Sequence, residues 1–160
     1  MPFNRSTSDA ASAIERRLDD IIAPTAHAVS TIIAAADIQK LTFPLLANNN
    51  YTFEFNLHVG CSGVGGVKFA ITVPSGAIFR AEALGIGATA GAITSALLSS
   101  SGVLSSAFNL VSLQTGWVRI YGAVIVGGTP GTLKLQFASG TAGQTSTIYN
   151  TSSFNAVRIW

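Results

Sequence analysis

The sequence predicts an all-β chain, an antiparallel β-sandwich or jelly roll of about eight strands preceded by a short N-terminal arm. Three observations predict it. Tyr51-Thr-Phe-Glu-Phe-Asn-Leu-His-Val59 alternates apolar and polar without a break, the period-two mark of a strand with one buried face. Further alternating or apolar runs follow at intervals punctuated by Gly and Pro, as at Pro74-Ser-Gly76 and Gly127-Gly-Thr-Pro-Gly131. No stretch shows the strand–helix–strand rhythm of a parallel sheet.

The arm, residues 1–24, holds seven of the sixteen charged residues within its first twenty positions. Ser12-Ala-Ile-Glu15 fits a capping box, and Ile14, Leu18, Ile21 and Ile22 recur as a narrow apolar stripe until Pro24. A helix of about ten residues is marginal alone, so the arm is helical or extended according to what it docks on. Its own sandwich and another protein are both open, and the four apolar residues are the candidate anchors. Residues 25–160 form the sandwich domain.

Thr25 to Ala34 and Ile38 to Phe43 are the first expected strands, closed by Pro44 and the Asn48-Asn-Asn50 turn. The Tyr51–Val59 strand runs into the flexible Gly60–Gly66 segment. Val67, Phe69, Ile71 and Val73 alternate again, and Ala77 to Leu84 reads as a further strand. Gly85 to Leu113 is rich in Ser and Ala, and its elements are hard to place. Trp117 to Val126 reads as a long strand buried on both faces. After the reversal at Gly127–Gly131, Leu133, Leu135 and Phe137 complete a hairpin with it. Asn155 to Trp160 supplies the final strand.

Composition narrows the function. The chain has 160 residues, of which 48% are hydrophobic and only 10% charged, against about 25% in ordinary domains. A lone soluble surface carries more charge than this, so the deficit is read as surface lost to neighbouring subunits. A membrane span is not expected. Ala83 to Val118 has no charge, but 15 of its 36 residues are Gly, Ser or Thr. Net charge is +2, and the one basic pair, Arg16-Arg17, has Glu15, Asp19 and Asp20 beside it, so no nucleic-acid stripe is present. No secretory leader is visible, and a single cysteine, Cys61, suits a reducing compartment and a buried role.

Catalytic signatures are weak throughout, and no enzyme, cofactor or metal is expected. Gly60 to Lys68 misses the phosphate-loop spacing, and a strand follows it instead of a helix. Gly85-Ile-Gly87-Ala-Thr-Ala90 fits a dinucleotide fingerprint in letters only, because no acid lies downstream to hold a ribose. His27 and His58 are too few for zinc unless Asp37, Glu54 or Cys61 joins them. Glu54 and Glu82 are the one pair of carboxylates that could serve glycoside cleavage. Trp117, Tyr121 and Trp160 could form a sugar-stacking platform, but aromatics on strands are more often core or subunit contact.

Four motifs together resemble the small jelly-roll proteins encoded among the virion structural genes of tailed bacteriophages. They are Leu45-Leu-Ala-Asn-Asn-Asn-Tyr-Thr-Phe-Glu-Phe55, Pro74-Ser-Gly-Ala77, Gly128-Thr-Pro-Gly-Thr-Leu-Lys-Leu-Gln-Phe-Ala138 and Val157-Arg-Ile159. The resemblance spans roughly residues 25–160 and rests on strand grammar, not on catalytic residues. It implies a homotrimer with a tumour-necrosis-factor-like jelly roll, made in the bacterial cytoplasm and carried on the virion. Such proteins act as capsid cement, head spikes or the knobs of tail fibres. This chain lacks a fibre-type shaft, which favours a decoration protein on the outer capsid surface. Its partners would be itself and the major capsid protein or another virion protein, with Ile14, Leu18, Ile21 and Ile22 gripping the shell or a neighbouring protomer. The alternative is a fibre or spike knob that binds the host surface through loops such as Gly60–Gly66 or Gly127–Gly131.

Overall fold

The computed structural model of the protein describes residues 14–17, 27–30, 36–63, 65–86, 93–108 and 115–159. Among them are eleven strands: β1 (Ile14–Arg17), β2 (His27–Ser30), β3 (Ala36–Leu45), β4 (Asn50–Cys61), β5 (Val67–Thr72) and β6 (Ile78–Ile86), followed by β7 (Ile93–Leu98), β8 (Thr115–Ile125), β9 (Gly131–Ser139), β10 (Thr145–Ile148) and β11 (Ser153–Ile159). They form two antiparallel sheets. The larger runs β1-β11-β4-β8-β6-β7, with β10 joining the far end of β4 and β2 joining β10. The smaller runs β3-β9-β5.

The alternation of β4 becomes burial. Tyr51, Phe53, Phe55, Leu57 and Val59 are buried, while Thr52, Glu54, Asn56 and His58 stay half-buried or exposed. Opposite them the smaller sheet contributes Leu41, Phe43 and Leu45 from β3, Phe69 and Ile71 from β5, and Leu133, Leu135 and Phe137 from β9, all in the same core. Two apolar sheet faces therefore close on each other, as a sandwich requires. On β3, Ile38 and Leu41 are both buried although an odd spacing separates them. Between Asp37 and Thr42 the register is irregular, with the four residues 38–41 standing against the single Leu135 of β9, and this odd excess lets both turn inward.

The free side of β5 is closed without a full strand. Gly102, Ser105 and Phe108 donate backbone N–H to Ile71, Phe69 and Val67 carbonyls, and Val67 donates back to Phe108. Ser105 Oγ accepts from Phe69 N–H and Ser101 Oγ from Val73 N–H, each at 3.1 Å. Hydroxyls so placed satisfy donors that would otherwise invite a foreign strand. Phe108 then reaches across to β6, where Gly85 makes room: a Cβ there would lie 2.8 Å from the Phe108 ring. Gly85 of the fingerprint-like stretch is thus a packing glycine inside a strand.

One open expectation is decided and two are corrected. Of the helical and extended alternatives for the arm, residues 14–17 take the extended one and pair with Ser153–Ala156 of β11, because a sheet edge offers more partners than one isolated helical turn. Leu18, Ile21 and Ile22 lie outside the described residues. β8 and β9 are not a hairpin: β8 pairs with β4 and β6, and β9 with β3 and β5, so the Gly127–Gly131 reversal passes from one sheet to the other. Their apolar faces pack across the core instead of sharing a ladder. Nor is β8 buried on both faces, since Trp117, Arg119 and Ile125 are exposed.

Candidate functional surface

The outward face of the larger sheet carries the chain's functional candidates. Register places them in rows. Val157, Thr52, Ala123 and Arg80 form one row; Asn155, Glu54, Tyr121, Glu82 and Leu97 the next; Ser153, Asn56, Arg119, Leu84 and Ser95 a third. Ile159, Asn50, Ile125 and Ile78 lie across the end nearest the 126–130 turn, and His58 with Trp117 across the opposite end. Ile78, Ile93, Leu97, Trp117, Ile125, Val157 and Ile159 all lie on this face; they are seven of the nine large apolar side chains exposed among the described residues. Apolar side chains gathered on one exposed face are a feature of interaction surfaces in general.

The middle rows are polar and internally satisfied. Arg119 reaches diagonally to Glu54, with Nε 2.9 Å from Oε1 and Nη2 2.8 Å from Oε2. Asn56 Nδ2 donates to the same Oε1 at 2.8 Å. The Arg119 hydrogen bonds hold the Glu54 carboxyl below its ordinary value; burial opposes them in part, and Asn56 adds a smaller lowering effect. Tyr121 Oη donates to Glu82 Oε2 at 2.7 Å, which raises the phenol above its ordinary value because the neutral form is the donor. Arg119 also lies 5.3 Å from the Tyr121 ring centre. These groups border an open depression of about 470 Å³ lined by Thr52, Glu54, Arg119, Tyr121, Asn155 and Val157.

Glu54 and Glu82 thus share a row on either side of Tyr121. Glycoside cleavage needs one carboxyl held protonated as a general acid. Arg119 instead favours the ionised form of Glu54, and Glu82 Oε2 accepts a hydrogen bond from the Tyr121 hydroxyl. Among the described residues, no group of three or more His, Cys, Asp or Glu is placed to hold a metal. Nor is any helix there long and apolar enough to cross a membrane.

At the other end three rings are stacked. His58 lies 4.9 Å from Trp117 with 15° between planes, and 4.6 Å from Tyr149 with 36° between planes. Trp117 comes from β8 on one flank of β4, and Tyr149 from the β10–β11 turn on the other. His58 Nδ1 shares a 2.8 Å hydrogen bond with Thr151 Oγ1. Its backbone N–H donates to Ser152 Oγ, Tyr149 N–H donates to the His58 carbonyl, and Ser152 Oγ–H donates to the Tyr149 carbonyl. Gly60 admits the Tyr149 ring, because a Cβ there would lie 2.8 Å from Oη.

Placement of the sequence candidates is therefore mixed. Ile14 lies in β1, opposite Ala156. Trp117 and Tyr121 share one face of β8, but Trp117 is 50% exposed and is not core. Trp160 lies outside the described residues. Cys61 is buried, and its thiol donates to the Gly63 carbonyl. The Gly60–Gly66 and Gly127–Gly131 segments lie at opposite ends of β4, about 35 Å apart, and cannot form one loop surface. Tyr149, Thr151 and Ile78 are not singled out by sequence; the 145–153 stretch has no long alternating run to flag it. No protein family, curated protein or solved structure matches the chain.

Proposed function

We propose that this chain is a virion structural protein of a tailed bacteriophage, a non-enzymatic homotrimeric jelly roll that decorates and cements the capsid. The strand orders support the jelly-roll reading. β4-β8-β6-β7 faces β3-β9-β5, the segment at Phe108 adds a further rung to β5, and most connections cross between sheets. One observation carries the assembly reading: Ile78, Ile125 and Ile159, 70%, 57% and 41% exposed, lie along one end of the outward face with Val157 beside them. Covering them against a second protomer removes the apolar surface that a charge-poor chain leaves open. With Ile14 and its neighbours in β1 paired to the chain's own β11, the remaining anchors Leu18, Ile21 and Ile22 then grip the capsid or a neighbouring protomer.

A cement stabilises a shell by binding its assembled lattice better than free subunits, and three linked copies multiply that preference. Labelling the protein on purified particles, together with sedimentation of the free protein, tests the reading. Trimers in solution and label on heads support it. Monomers at micromolar concentration with no label on the head overturn it. Leu18→Asp is expected to abolish incorporation; unchanged incorporation removes the anchoring role.

The second reading, a knob that binds the host surface, is favoured by the exposed Trp117 on its His58–Tyr149 support. Label on tails, and purified protein that blocks adsorption, would establish it over the first.

A further inference from the structure

We propose that the Trp117–His58–Tyr149 stack and the polar rows beside it form a binding site for a neutral oligosaccharide. The inference deepens the host-surface reading and rests on it only for where the sugar would come from.

Three features of the geometry carry it. First, the platform is fixed before any ligand arrives. The hydrogen bond to Thr151 holds His58, the knitted 149–152 turn holds Tyr149, and the bare Gly60 backbone seats that ring. Little side-chain freedom remains to be lost on binding. Second, half of the Trp117 surface faces solvent on a sheet whose other aromatic rings lie mostly inside. An exposed indole backed by a parallel ring offers a flat apolar area the size of a pyranose C–H face. Third, the neighbours along the same face are planar and polar. Arg119 follows Trp117 on β8, and Asn56 and Glu54 precede His58 on β4. Amide, guanidinium and carboxylate groups are those that bind paired sugar hydroxyls.

Charge selects the ligand class. Arg119 and Glu54 neutralise each other, so the platform presents no net field that would recruit a phosphate, sulfate or sialic-acid group. Size follows from the rows. Trp117 to Ala123 spans six positions of β8, about 20 Å, ending in the 470 Å³ depression. That length fits a chain of several sugars better than a monosaccharide.

The test titrates the intact protein with neutral hexose and N-acetylhexosamine oligosaccharides, and with sulfated forms of the same chains. Indole fluorescence and calorimetry are the readouts. Trp117 and Trp160 are the only tryptophans, so Trp160→Phe should keep the fluorescence response and Trp117→Phe should lose it. Trp117→Ala should weaken binding about tenfold or more, Trp117→Phe less, and Tyr149→Ala to an intermediate degree. Sedimentation should be unchanged in all three. Failure of every neutral chain to bind at millimolar concentration overturns the proposal. So does equal binding by Trp117→Ala, or preference for the sulfated chains. A Trp117→Ala protein that changes oligomeric state without any sugar effect shows a subunit contact and overturns it too. Sugar binding without adsorption to cells keeps this site and removes the host reading; adsorption without sugar binding does the reverse.

Discussion

Arg119 and Glu54 meet diagonally across β8 and β4, and the guanidinium grips both carboxylate oxygens at 2.8–2.9 Å. Glu54 therefore titrates below an ordinary glutamate. Its contribution to stability is fully present above the unfolded-state value and is lost as pH falls through the lower folded-state value. Arg119→Ala should move the Glu54 titration, followed by its side-chain carboxyl resonance, up towards the ordinary value. Both partners are substantially solvated, so the melting temperature should barely change.

Phe55 and Phe154 occupy one register position of the β4–β11 pair and stack at 4.4 Å inside the core. Phe55→Ala should cost about 3–5 kcal/mol in denaturant unfolding, a large share of a typical domain's stability. Trp117→Ala, outside the core, should cost only about 1 kcal/mol.

Gly122 lies opposite both Phe53 and Ala81, and a Cβ there would sit 2.7 Å from the Ala81 Cα. Gly122→Ala should push β8 from β6 and cost about 1–3 kcal/mol. Gly128→Ala, where a Cβ meets nothing, should leave the thermal melt within error.

Ser105 satisfies both backbone groups of Phe69, one through its hydroxyl and one through its own N–H. Ser105→Ala should cost about 1 kcal/mol. Amide exchange should accelerate first at Phe69, and the variant should aggregate sooner on concentration as the β5 edge opens.

Ile125 and Ile78 are directly paired and together hold the centre of the exposed apolar end. Ile125→Asp should weaken self-association at least about tenfold in sedimentation while the melt of the protomer stays near that of the parent.

How much of this was legible in the sequence depends on which face of a strand is asked about. The inward set of β4 could be read directly, because its outward positions are polar and the alternation is clean. β8 could not be read so: Trp117 and Ile125 are as apolar as Val118 and Val124, and hydrophobicity alone does not distinguish a core face from a sticky outer one. The 127–131 turn was visible, but a turn motif does not reveal whether its flanking strands share a ladder or face each other across a core. β7 and β10 are short and lie in Ser- and Thr-rich stretches, where no periodic signal rises above the composition. The aromatic stack stayed hidden for another reason: its three rings are separated by many residues, and only the pairing of β8, β4 and β10 brings them together.

The place of β11 between β1 and β4 has a consequence for how the molecule is made. A chain emerging from the ribosome synthesises β4, β6 and β8 long before the strand that flanks β4 on its other side. Until that last strand is released, the long edge of β4 stays open and Phe55 lacks its stacking partner. Closing that edge therefore waits on the 153–159 segment, and a nascent chain stalled before residue 153 would be the species most in need of a chaperone.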